Sequence, residues 1–203
     1  MRSPARPDAA RALAYRPARP DEIGDCAGIW RASINDYIVP LGQRAIPNET
    51  NPVIRLFAHL QATDPGRFIV ATTTATAEGG NPSGHTSDPA AERVVAFASA
   101  IVRERLWYLS MLFVLPELQG AGVGRELLAH VLPGDGAMTR ATATDSAQAI
   151  SNALYALHEM TPRMPLLNLV GLPDRPAAFG ALPSGIVPRA FEPVVASGAA
   201  LGQ

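Results

Sequence analysis

Between Arg93 and Val114 lie two almost wholly apolar runs, RVVAFASAIV and LWYLSMLFV, joined through RER (Arg103 to Arg105). Short runs rich in β-branched and aromatic residues read as strands, and a connection this tight makes them an antiparallel hairpin. Apolar side chains at nearly every position require cover on both faces. A chain with this hairpin at its centre folds around a sheet with helices above and below it.

The second run leads directly into PELQGAGVGRELL, where Gly120, Gly122 and Gly124 stand on alternate positions. Val123, Leu127, Leu128 and Val131 then recur at helical spacing. Strand, glycine turn and helix in that order gather unpaired backbone N–H groups at the positive end of a helix dipole, an anion site that a pyrophosphate fits. Glycine accepts positive φ and lets an oxygen approach the main chain. Each such N–H donated to a charged oxygen is worth roughly 1.5–3 kcal/mol. Two other readings stay open. A turn that merely packs closely would carry three glycines at about 0.5–1 kcal/mol each relative to alanine. A dinucleotide-binding fold needs G-x-G-x-x-G, but its third glycine falls on Arg125 and the strands upstream are antiparallel.

Upstream, residues 1–14 are Pro/Ala/Arg-rich without an apolar period and read as a disordered leader; Tyr15 to Pro20 reads as an edge strand. Asp21 is the expected cap of a helix running to about Asn35, with Ile23, Ala27, Trp30 and Ile34 on its buried face and Asn35 to Tyr37 at its exit. Asn51 and Pro52 open a second helix that buries Val53, Leu56, Phe57 and Leu60 and ends at Asp64 to Gly66. Arg67 to Ala75 reads as a strand, and Glu78 to Glu92 as a long loop. Downstream of the glycines, Pro133 to Gly136 ends the helix and AMTRATATD is a further strand. Asp145 or Ser146 caps a helix with an expected stripe of Ile150, Ala153, Leu154 and Leu157, well off which Tyr155 lies. Met164 to Gly171 reads as a late strand, and residues 172–203 as a Pro/Gly/Ala-rich tail with one ordered stretch. One domain is expected.

Composition excludes several chemistries. The formal net charge of −1 supplies no field for nucleic acid or an anionic membrane surface. No apolar run approaches bilayer length and no signal core opens the chain, so a cytoplasmic protein is expected. One cysteine, Cys26, and four scattered histidines build neither a disulfide framework nor a metal site. Every basic residue is arginine, which removes Walker-type and Schiff-base lysine chemistry.

FVLPELQGAGVGRELL resembles the acetyl-coenzyme A signature of the GCN5-related N-acetyltransferases (GNAT), Gln/Arg-x-x-Gly-x-Gly/Ala, with Val114 and Pro116 resembling the family's lead-in. The order β-α-α-β-β-β-α-β-α-β over 15–171 is also similar to it. The resemblance implies an α/β (α+β) fold with a mixed, largely antiparallel sheet and helices on both faces. It further implies acetyl-CoA-dependent acetylation of a primary amine on a small molecule or peptide, without metal. A non-catalytic acyl-CoA-binding or sensing module is the alternative, and a homodimer is compatible with either.

By the same resemblance, the backbone of Gln119, Gly120, Ala121, Gly122, Val123 and Gly124 would hold the pyrophosphate. Leu112, Phe113 and Val114 would pair with the pantetheine arm, and a backbone N–H near Phe113 would polarise the carbonyl. SNALYALHEM resembles the late helix in which a tyrosine faces the coenzyme sulfur, making Tyr155 the proton donor. The family's asparagine before that tyrosine falls on Ala147 or Gln148, and Asn152 stands in for it. Its Gly-Phe after the helix is Glu159-Met160. Trp30, Asn35, Asp36 and Tyr37 would edge the acceptor pocket. Asp36, Glu104 or a water chain would serve as the base.

Overall fold

The computed structural model describes residues 13–74, 92–134, 136 and 138–166. The expected loop from Glu78, the expected tail and all but the end of the leader lie outside them. Two compact units are distinguished, Met1–Pro162 and Arg163–Gln203. In the second, the described residues 163–166 are exposed and carry no strand; the rest of the late strand expected over 164–171 lies outside the described residues.

The first unit is built from β1 (Ala14–Pro17), α1 (Ile23–Ile38), α2 (Asn51–Thr63), β2 (Phe68–Thr74), β3 (Glu92–Arg103), β4 (Leu106–Val114), α3 (Val123–Val131), β5 (Thr139–Thr142) and α4 (Ala149–Ala156). The strands lie in sequence order, antiparallel from β1 to β4 and parallel between β4 and β5. A parallel neighbour needs a crossover, and α3 supplies it. The expected hairpin is present, with Arg103 opposite Leu106.

Both faces of the sheet are covered. Phe57 of α2 meets Phe97 of β3 at a ring separation of 5.1 Å, and Phe68 stacks on Phe97 at 5.6 Å. On the other face Trp107, fully buried, donates its indole N–H to the Val131 carbonyl at the end of α3 (2.8 Å). Val123, Leu127, Leu128 and Val131 are all buried there, the expected stripe.

The other helices depart from expectation. α1 runs on to Ile38, and a short 3-10 turn from Pro20 to Glu22 precedes it, so Asp21 is not its cap. Its buried residues are Ile23, Cys26, Ala27, Ile29, Ser33 and Ile38, while Trp30 and Ile34 are half-buried. Thr50, not Asn51, occupies the cap position of α2, without a side-chain capping bond; Phe57 and Leu60 are buried, Val53 half-buried and Leu56 45% exposed. In α4 the stripe is reversed: Ile150 and Leu157 are exposed, and Tyr155 is the helix's buried residue. The helix starts late, after Gln148, because Asp145 spends its carboxylate on the Ala147 N–H (2.9 Å) instead of capping a helix turn. Periodicity alone could not tell which side of this short helix meets the sheet.

Candidate active site

β4 and β5 pair only from Leu106–Thr139 to Leu109–Thr142. There Thr142 donates its hydroxyl to the Leu109 carbonyl (3.0 Å), the last bond before the strands part. At the same level β4 carries a bulge: Leu109 faces Ala100 and Met111 faces Ser99, which leaves Ser110 as the extra residue. From Ser110 to Val114 the strand keeps β3 on one side and, among the described residues, has no strand on the other.

Antiparallel alternation decides which backbone groups face the gap. Leu115 donates its N–H to Val95 (3.0 Å), so in the same register Phe113 turns its N–H and carbonyl to Phe97 in β3. Leu112 and Val114 turn theirs to the gap. The Val114 carbonyl already accepts from Ser33 Oγ (2.8 Å) and Gln119 Nε2 (3.1 Å). Of the expected pantetheine partners, Phe113 is therefore committed to β3.

The gap opens into a cavity of about 420 Å³ that runs to the glycine turn. Gly120 and Gly122 have φ of 81° and 85°, the left-handed region in which glycine avoids a side-chain clash. The first amides turned back onto the Gly122 carbonyl are those of Arg125 and Glu126, so the N–H groups of Val123 and Gly124 have no partner within α3. At Gly124 a Cβ would meet Leu112 Cδ2 at 3.4 Å and Val114 Cγ2 at 3.8 Å, ordinary contact distances, and its φ is not left-handed. Of the glycines expected to admit an oxygen, Gly120 and Gly122 have the backbone for it.

Leu112, Phe113, Val114 and Gln119 line this cavity, as do the three turn glycines. Ala121 and Val123 do not; they are 2% and 1% exposed and anchor the turn to the core. Of the expected acceptor wall, Asp36 and Tyr37 line the cavity, on the last turns of α1 and not in a loop. Trp30 packs against the core, and Asn35 clamps the chain after α1 by accepting from the Ile46 N–H (2.8 Å) and donating to its carbonyl (3.2 Å). Asn152 donates to the Asp145 and Gln148 carbonyls at 3.2 and 2.8 Å, bracing the start of α4 away from the cavity lining. Glu104 sits in the β3–β4 turn at φ 50° and is not part of the lining.

Tyr155 lines the cavity and is 7% exposed. Burial pushes its phenol above the usual tyrosine range, and a hydrogen bond with Ser151 pulls the other way. Across the cavity, the Tyr37 hydroxyl donates to Asp145 Oδ2 (3.3 Å); burial, then the Asp145 charge, raise it. Ser33, Ser110, Arg125, Asp145 and Ser151 are lining residues that sequence reasoning missed. Arg125 was in plain view beside the glycines, and Ser151 stands one helical turn before Tyr155, but neither belongs to a spacing pattern.

The arrangement suits a coenzyme with an amide-bearing arm and a pyrophosphate: an open strand edge for the former, orphan N–H groups and Arg125 for the latter. No curated protein matches the sequence. The fold is similar to that of a Pyrococcus horikoshii protein (TM-score 0.51, 15% identity, 73% of this chain), of whose length the chain spans 43%. It is similar to a possible acetyltransferase from Clostridium difficile 630 (TM-score 0.52, 12% identity, 79% of this chain and 98% of that one). It is also similar to the PaiA N-acetyltransferase from Thermoplasma acidophilum in complex with coenzyme A (TM-score 0.50, 12% identity, 72% and 87%). A model of the Acetyltransferase (GNAT) family matches residues 48–158, from just before α2 to the end of α4. The chain belongs to the GNAT acetyltransferase family.

Proposed function

We propose that the protein is a cytoplasmic, acetyl-CoA-dependent N-acetyltransferase acting on a primary amine of a small molecule or peptide. The observation that carries this reading is the parting of β4 and β5 beyond Leu109, which among the described residues leaves an open strand edge running into the left-handed glycine turn.

Bound acetyl-CoA supplies an activated acyl group and a thiolate leaving group. The chain's own residues do the rest. Leu112 through its gap-facing backbone and Val114 through its N–H align the arm; Gly120, Gly122 and Gly124 hold the pyrophosphate, with Arg125 adding charge. The Leu112 N–H, the first beyond the bulge to face the gap, polarises the carbonyl, a contribution worth roughly 3 kcal/mol in comparable sites. Tyr155 keeps its proton at neutral pH, because a phenol of ordinary pKa about 10 has been raised further, and delivers it to the departing sulfur. Asp36 and Tyr37 edge the amine's approach.

Calorimetric titration with acetyl-CoA, then thiol release against a panel of amines, tests the reading. Binding with release on some amine is the expected result. Binding with no release on any amine would favour a sensing module, and no binding would reduce the glycine turn to a packing device.

A further inference from the structure

β4 is apolar along most of its length, LWYLSMLFV, and Ser110 is its one small hydroxyl residue. The same residue is the extra one of the bulge, between the pairs Leu109–Ala100 and Met111–Ser99, and bulges beside a site re-aim a side chain. Ser110 lines the cavity at the point where β4 and β5 part. Other hydroxyls of that lining are spent: Ser33 donates to the Val114 carbonyl, Thr142 to the Leu109 carbonyl and Tyr37 to Asp145. The Ser110 hydroxyl has no hydrogen-bond partner among the described residues.

The donors along the gap stand in a fixed order. From the glycine turn inward come the Val114 N–H, the Leu112 N–H and then Ser110, after which the Thr142 hydroxyl on the Leu109 carbonyl closes the fork. An arm whose pyrophosphate sits at the turn therefore ends its run against Ser110. A strand rises about 3.3 Å per residue, so one oxygen lying between Leu112 and Ser110 is within hydrogen-bond reach of the N–H of the first and the hydroxyl of the second. We infer that Ser110 is a catalytic residue, the second donor, beside the Leu112 N–H, to the thioester carbonyl oxygen. This rests on acetyl-CoA lying along the gap as proposed above. As the amine nitrogen bonds to the acyl carbon, the carbonyl π pair moves onto oxygen, and two donors aimed at that oxygen stabilise the charge where it develops. The pair returns as the carbon–sulfur bond breaks. Sulfur leaves with its electrons and takes the Tyr155 proton, the amine's surplus proton goes to water, and water restores the phenol. Ser110 gives up no proton and ends as it began.

The test binds acetyl-CoA, isotope-labelled at the acyl carbonyl, to the full chain and reads the carbonyl stretch by infrared difference spectroscopy, alongside kcat on a panel of amines. Wild type, Ser110→Ala, Ser110→Thr and Ser99→Ala are compared. A hydrogen bond to the carbonyl lowers its stretch. Ser110→Ala should raise the bound frequency and lower kcat about a hundredfold, while changing the Kd for acetyl-CoA at most severalfold. Ser110→Thr, which keeps the hydroxyl, should restore both. Ser99→Ala controls for disturbance of the bulge: it removes a hydroxyl on a residue 1% exposed, without a partner among the described residues, and should move neither quantity. An unchanged frequency or an unchanged kcat in Ser110→Ala would overturn the inference, as would an equal effect from Ser99→Ala. No bound carbonyl band in the wild type would remove the coenzyme reading, and the role of Ser110 with it. A band that moves in a protein with no turnover on any amine would refute the catalytic role and leave a binding module.

Discussion

At Gly122 the backbone itself is what makes the turn. Its φ of 85° places the residue before α3 in a conformation that costs an L-residue about 1–2 kcal/mol, and the residue lines the cavity. Gly122→Leu should therefore leave a folded protein, with a melting point a few degrees lower, that binds acetyl-CoA at least a hundredfold more weakly; retained affinity in a titration would put the pyrophosphate elsewhere. Cys26 shows the opposite case, a residue whose setting is purely core. It has no exposed surface, and burial first, then Asp25 and Glu22, push its thiol up to about 12. With the folded pKa above the unfolded value of about 8.5, this group's contribution to stability is whole below the unfolded pKa and is lost as pH rises toward the folded one. Thermal melts from neutral to alkaline pH should fall more steeply in the wild type than in Cys26→Ala, and the native thiol should resist thiol reagents. Gly122 was readable because a left-handed turn leaves glycine in the sequence. The partners of Asn35 and Asn152 were not, since an amide bonds equally well to ligand or backbone and only the fold decides.

Among the elements, β3, β4 and α3 were legible because their apolar patterns answer to covered surfaces on known sides. α4 was not. Eight residues, Ala149–Ala156, make barely two turns, and of the apolar stripe with the better spacing only Leu154 packs against the core, while Ile150, Ala153 and Leu157 are exposed. The exit of this helix also explains how the chain manages without the family's glycine. Glu159 takes φ 65°, its N–H bonds to the Ala156 carbonyl, and the Met160 N–H reaches the Tyr155 carbonyl at 3.1 Å, the paired bonds of a Schellman close. The helix end survives at the cost of one strained residue. Glu159→Gly should raise stability by about 1 kcal/mol, read as a higher denaturant midpoint at unchanged slope; a lower midpoint would mean that the glutamate side chain has a stabilising role outweighing its backbone.

Across the whole molecule, the family match begins at residue 48, which leaves α1 outside it. Ser33, Asp36 and Tyr37 therefore line the cavity from an element that the match does not reach. Tyr37→Phe, which removes the bond to Asp145, should raise KM for the amine severalfold and leave KM for acetyl-CoA unchanged; a change in both would mean that α1 shapes the coenzyme side as well. One feature of the sheet reaches further. Because β4, among the described residues, has a neighbour on one side only beyond Leu109, its amides alternate in access to solvent along a single strand. In deuterated buffer the Leu112 and Val114 amides should exchange quickly and the Phe113 amide slowly, and acetyl-CoA should slow the first two while hardly touching the third. The coenzyme would then register as a missing strand, written into the exchange pattern residue by residue.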